Sequence, residues 1–295
     1  MSNLIVSLSP HIHGGDCTKR NMYGVIFAIM PALIVSFAYL GIGSVIVCLS
    51  SIAACMLTEW VITKYMLHRK PTLDDGSAVI TGLLLGMNLP SNLPVGIVIL
   101  GAVVAIGIGK MTFGGLGCNL YNPALVGRCM LLVSFPVQMT SWPVVGQQMS
   151  YTDATTGATP LSLMKKAISS GDASVLDSMP SSLHLLLGNN VNGGAGTIGE
   201  VCALALLLGL AFMLWKKIIT WHIPVSIILS AFVFASVLHI ANPIYADPIS
   251  VVLTGGMMLG AIFMATDYTT SPMTRRGQLI YGTAIGLLTI VIRNW

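Results

Sequence analysis

The chain has 295 residues, of which 55% are hydrophobic and only 8% charged, and its mean hydropathy is +0.84. Soluble domains carry about 25% charged residues, so composition alone describes a membrane protein whose principal partner is the lipid bilayer. The net charge is +4, and the basic residues stand singly or in pairs between apolar runs, which argues against nucleic acid as a partner.

The N-terminal "MSNLIVSLSPHIHGGDCTKR" is a mixed segment without a small-residue cleavage site, so no removable signal peptide is expected. A hydrocarbon core about 30 Å thick needs about 20 apolar residues per helix. Nine stretches approach that length, at 22–40, 43–66, 77–90, 93–109, 119–135, 199–215, 222–240, 249–266 and 278–293, the third being short. If crossings alternate, Lys19 with Arg20, "HRK" at 68–70, Lys110, Lys216 with Lys217, and "TRR" at 274–276 share one side. The positive-inside rule makes that side the cytoplasm and puts the N-terminus there. The polar interval 136–198 then lies outside; Lys165 and Lys166 do not conflict, because long loops weigh little in the rule. The expected organisation is an N-terminal membrane half over 1–135, an extracytoplasmic loop over 136–198, and a C-terminal membrane half over 199–295.

The chain also repeats itself. "DDGSAVITG" matches "DPISVVLTG" through Asp74/Asp247, Ser77/Ser250, Val79/Val252, Thr81/Thr254 and Gly82/Gly255 at one constant offset. An odd number of crossings separates the copies, so they run in opposite senses, the signature of an inverted repeat.

Several polar features fall at membrane depth. Glu59 lies inside the second span, where an ionised carboxylate is costly unless paired or wet. It reads either as part of an ion or proton path or as a carboxylate neutralised by a helix neighbour or partner subunit. "GMNLPSNLP" (Gly86 to Pro94) breaks the third span with two Asn and two Pro. In "NLYNPALVGR", Asn122 ahead of Pro123 is a helix start whose free N–H groups suit an anion or a polar ring edge; Asn122, Pro123 and Arg128 are the residues considered for such a wall. A re-entrant turn that merely packs is the other reading. "DYTTSPMT" (Asp267 to Thr274) reads first as an ordinary cytoplasmic turn and second as a surface facing a partner or cofactor. The six cysteines form no C-x-x-C pair and read as apolar packing residues, and His11 and His13 fit no zinc pattern, so no metal site is expected. No nucleotide-binding or hydrolase motif occurs, and no catalytic residue is assigned.

The outward loop carries the sharpest signal. "DATTGAT", Asp153 to Thr159, fits D-x-x-[S/T]-G-A-T, which resembles the recognition sequence of flavin transferases that attach FMN through its phosphate to the final threonine. Gly157 and Ala158 keep bulk away from Thr159, Pro160 stiffens the exit, and "LSLMKKAI" is expected to open a helix. Asp153 and Thr156 either are read by the transferase or cap the turn.

Taken with "SPHIH", "DDGSAVITGLLLGMNLP", "NLYNPALVGR" and "ATDYTTSPMTRRGQLIYG", the motif identifies a resemblance over nearly the whole chain. The chain resembles the RnfD family, a membrane component of the Rnf ion-translocating ferredoxin:NAD oxidoreductase, and is similar to the NqrB component of the sodium-translocating NADH:quinone oxidoreductase. The resemblance implies an all-α polytopic protein of the bacterial inner membrane, built as an inverted repeat of five helices each, with a tenth helix expected beyond Trp295. It also implies FMN in phosphoester linkage to Thr159, a non-covalent riboflavin within the helices, and a flavin transferase for maturation. Its implied partners are the other membrane and peripheral Rnf subunits, including those with iron-sulfur and flavin centres, and its implied ion is Na⁺ or H⁺. NAD chemistry would belong to another subunit. Two further readings stay open: a solute channel or transporter, which also uses inverted repeats and broken helices, and an inert scaffold for partner subunits.

Overall fold

In lipid every backbone polar group must find a partner within the protein, and a helix supplies one residue by residue. The computed structural model describes residues 17–68, 73–188 and 194–294, and these are helical apart from turns and two isolated β-bridges in the polar interval. "SPHIH", Arg69 and Lys70 of the "HRK" cluster, and Trp295 lie outside the described residues.

The first half contains α1 (Thr18–Leu40), α2 (Ile42–Met66), α3 (Ser77–Met87), α4 (Val95–Met111) and α5 (Pro123–Ser134). The polar interval holds α6 (Pro136–Met139), α7 (Pro160–Ser170) and α8 (Ser182–Leu187). Beyond it come α9 (Ala203–Trp215) and α10 (His222–Ala241), then α11 (Pro248–Leu253), α12 (Met257–Leu259, prolonged by a wider turn to Met264) and α13 (Arg275–Asn294). Among the described residues, α1, α2 and α10 are long and apolar enough to cross a bilayer, and α3, α4, α5 and α9 are shorter apolar helices.

The expected segment 249–266 is two helices rather than one. Thr254 is extended, and Gly255 and Gly256 take φ of 72° and 66°, a left-handed conformation open to glycine without strain. The carbonyls freed by the break are satisfied from α13. Arg293 donates to the oxygens of Val251 at 2.8 Å, Thr254 at 2.9 Å and Gly255 at 2.8 Å.

The core is centred on α3, in which every residue from Thr81 to Met87 is buried. Gly82 and Gly86 let it approach α2 closely: a Cβ at Gly82 would stand 2.6 Å from Ile52 Cα, and one at Gly86 3.1 Å from Cys48 Cα. Such small-residue pairs four apart are how helices pack where no water drives them together. The Ser51 hydroxyl donates to Gly82 O across this seam at 2.7 Å. Gly282 and Gly286 of α13 lie against Ser226 and Ser230 of α10 in the same way. The two repeated segments share a detail: the Thr81 hydroxyl donates to Ser77 O at 3.0 Å, and that of Thr254 to Ser250 O at 2.9 Å. Their caps differ by one place. Asp75, rather than the matched Asp74, accepts from Ser77 N at 3.0 Å, whereas Asp247 accepts from Ser250 N at 3.4 Å.

Candidate functional site

The segment around "DATTGAT" is held by backbone pairing on both flanks. Val144 N donates to Thr155 O at 3.0 Å, Gly157 N to Trp142 O at 2.9 Å, and Gly194 N to Ala158 O at 3.0 Å. Gln147 reaches across to Thr155, accepting from its N–H at 2.7 Å and donating to its carbonyl at 2.9 Å. At the head of the segment the Tyr151 hydroxyl donates to Leu93 O at 2.5 Å, and burial raises the pKa of its phenol. Asp153, Thr156 and Ala158 are exposed. Asp153 accepts no hydrogen bond among the described residues, so the arrangement found is not the turn cap but an open carboxylate.

Thr159 is the N-cap of α7. Its backbone is extended, its Oγ1 accepts from Ser162 N at 3.2 Å, and Pro160 occupies the first helical turn, so "LSLMKKAI" does open a helix. The expected free approach to Thr159 is not what the fold shows: the residue is 6% exposed. Gly194 passes directly beside it. A Cβ there would meet Gly157 O in hard overlap and stand 3.3 Å from Thr159 Cγ2. Next to Thr159 opens a pocket of about 430 Å³ walled by Leu161, His184, Glu200, Leu253 and Thr254. Apolar walls with a few convergent polar groups are the usual make-up of a cofactor pocket. The free N–H groups and positive dipole end of α7 suit a phosphate ester on the Thr159 oxygen, so charge and space both fit an attached nucleotide.

A larger space of about 820 Å³ lies among α1, α3, α9 and the turns at 116–123 and 263–268. Asn122 and Pro123 stand on its wall, with Asn122 capping α5 by accepting from Ala124 N at 3.0 Å and donating to Met264 O at 3.4 Å. Asn119 donates to Asp267 at 3.2 Å on the same wall, so "DYTTSPMT" faces a cavity and is more than a connecting turn. Arg128 goes elsewhere. It donates to Asn88 Oδ1 at 2.5 Å, and Asn88 in turn donates to Leu84 O at 2.8 Å, closing the end of α3. The structure therefore brings Asn122 and Pro123 together at one cavity and separates them from Arg128.

Glu59 is 2% exposed and fully engaged. Lys110 donates to its two oxygens at 2.8 and 2.7 Å and to the Ser77 hydroxyl at 2.6 Å. Lys110, expected as a loop anchor, is instead a buried residue at the end of α4, 3% exposed, on the edge of the larger cavity. The helix-neighbour arrangement for Glu59 is thus the one found. Sequence reasoning did not find Lys110 as its partner, nor Glu200 and His184 beside Thr159. The only local signal for Glu200 was a lone acid opening an apolar run.

Comparison with known proteins gives one consistent result. The family model described as the NQR2, RnfD, RnfE family matches residues 5–295. The chain is 44% identical over 291 residues to a component of the Na⁺-translocating ferredoxin:NAD⁺ oxidoreductase complex of Acetobacterium woodii, covering 99% of this chain and 85% of that one. It is 37% identical over 290 residues to the same-lettered component of the proton-translocating ferredoxin:NAD⁺ oxidoreductase complex of Clostridium ljungdahlii, covering 98% and 86%. It is 36% identical over 319 residues to the same-lettered component of the ion-translocating oxidoreductase complex of Actinobacillus succinogenes, covering 97% and 88%.

Proposed function

The chain belongs to the NQR2, RnfD, RnfE family, and from that premise we propose that it is a membrane subunit of an ion-translocating ferredoxin:NAD⁺ oxidoreductase complex, relaying electrons through FMN bonded to Thr159. The observation that carries the flavin is the end of "DATTGAT": the motif threonine caps α7 with its oxygen at the helix N-terminus and a pocket alongside. An isoalloxazine ring supplies stepwise electron transfer, and the protein supplies its position and electrostatics. In that division of labour Thr159 tethers, α7 favours the phosphate charge, and the exposed Asp153 and Thr156 present the segment to a flavin transferase.

The rest of the reading follows the same premise. The helices form two inverted halves in the bacterial inner membrane, supported by the matching Thr81 and Thr254 hydrogen bonds, with the N-terminus cytoplasmic and the motif loop outside. A non-covalent riboflavin occupies the cavity beside Asn119, Asn122, Pro123 and Asp267, whose amides and carboxylate suit a polar ring edge. NAD chemistry resides in partner subunits carrying iron-sulfur and flavin centres. Relatives named for sodium and for protons both match this chain, so the choice of ion lies in individual residues rather than in the fold. An ion path through Glu59 has to displace Lys110 from both of its oxygens.

The test is ultraviolet illumination of a denaturing gel after expression with a flavin transferase. A fluorescent band that disappears in Thr159→Ala and persists in Thr159→Ser is the expected result. A dark wild-type band, or a Thr159→Ala band of undiminished fluorescence, overturns the assignment.

A further inference from the structure

The Thr159 pocket has a carboxylate in its wall that attachment of a flavin does not require. Glu200 ends the turn Ile198–Glu200 ahead of α9 and lines the same pocket as Thr159. Its seat is made by two glycines from distant parts of the chain, Gly196 with φ of 75° and Gly256 with φ of 66°. A Cβ at Gly196 would overlap Glu200 Oε2, and one at Gly256 would stand 3.1 Å from Oε1. Thr197, fully buried, donates its hydroxyl to Oε1 at 2.8 Å. Arg128 and Arg293 act on the carboxylate through their charge, yet neither forms an ion pair with it among the described residues. Their hydrogen bonds go to Asn88 and to the carbonyls at the α11–α12 break. His184 is the other titratable group on the pocket wall.

This carboxylate is fixed in place and not cancelled by a salt bridge. A carboxylate that swings freely is averaged by solvent, whereas one clamped in a pocket of low dielectric acts with a definite sign on whatever lies beside it. We propose that Glu200 is a positioning residue that sets the redox potential of the flavin carried by Thr159, which rests on the reading of Thr159 as the attachment site. A fixed negative charge opposes the arrival of an electron on the ring, so Glu200 holds the potential lower than the pocket without it would. The bland account is that Glu200 only closes the turn between Gly196 and Gly256. The two accounts differ in what the flavin reads.

The experiment uses the full chain made with a flavin transferase, with Thr159→Ala as the optical blank, and titrates the covalent flavin potentiometrically. Glu200→Gln keeps shape and an acceptor for Thr197 but removes the charge. Its midpoint potential is expected to shift upward, and Glu200→Asp is expected to return most of the way to wild type. Thr197→Val leaves the charge and removes the hydroxyl that disperses it, so its potential is expected to shift downward. A Glu200→Gln chain that fluoresces in the gel and titrates like wild type overturns the role of Glu200 and leaves the Thr159 assignment standing. A dark wild-type band removes that assignment and this inference with it. Should Glu200→Gln not accumulate, Thr197→Val decides, and an unmoved potential there overturns the inference.

Discussion

Replacing Lys110 by methionine keeps the length of the side chain and removes the cation that holds Glu59. The ammonium lies 2.8 and 2.7 Å from the two carboxylate oxygens and 2.6 Å from the Ser77 hydroxyl, with side-chain exposures of 3% and 2% for the pair. Taking one partner from a buried pair costs about 3–5 kcal/mol, because the survivor is left charged and unpaired. Glu59 can lessen this by taking a proton, so a loss near the lower end, about 3 kcal/mol, is expected for Lys110→Met. Glu59→Gln alone should cost a comparable amount, since it strands the ammonium. The double variant leaves no buried charge and should be more stable than the sum of the two losses implies, with a coupling of about 2–3 kcal/mol. Unfolding in mixed micelles followed by tryptophan fluorescence suits the measurement, because Trp60 adjoins Glu59 and has the Lys64 ammonium 4.5 Å from its ring centre. A Lys110→Met chain within about 0.5 kcal/mol of wild type, or a double variant that loses the full sum, would refute the reasoning.

Three other outcomes are expected. The Tyr151 phenol has a pKa raised by burial, so its folded-state value lies above the ordinary value of about 10; the stability it contributes is intact below pH 10 or so and is lost as pH rises through the folded value. An ultraviolet phenolate titration should show one late-ionising tyrosine that is missing in Tyr151→Phe. Gly194→Ala forces a methyl against Gly157 O and should cost about 1–3 kcal/mol, with a fall in gel fluorescence because the motif strand is displaced; unchanged fluorescence and stability would contradict the packing. Arg293→Met strands the carbonyls of Val251, Thr254 and Gly255 at about 1–3 kcal/mol for each one left dry, and limited proteolysis should then cut between α11 and α12.

The features that were legible in the sequence are those whose physics is local. Asn122 before Pro123 and Thr159 before Pro160 announced helix starts because a cap needs only its own next turn, and both caps are present. Hydropathy located every apolar segment, yet it averaged over "TGG" at 254–256 and so joined α11 to α12; the paired glycines were the signal that the sum concealed. What stayed illegible depends on chain segments meeting from afar. Thr159 is covered because Gly194 arrives from the far end of the loop, Lys110 leaves the loop count because Glu59 receives it, and Glu200 joins the Thr159 pocket because α7, α11 and the turn before α9 converge.

Arg293 also bears on how the protein is made. Translation produces the carbonyls of Val251, Thr254 and Gly255 before it produces the guanidinium that satisfies them. In lipid these oxygens have no water to accept from. While α13 is still on the ribosome, the broken helix therefore cannot rest as a finished element, and the insertion machinery has to shelter it. Docking of the α13 tail is the closing event of biogenesis for this half, and chains halted between α12 and α13 are substrates for membrane quality control rather than for assembly with partner subunits.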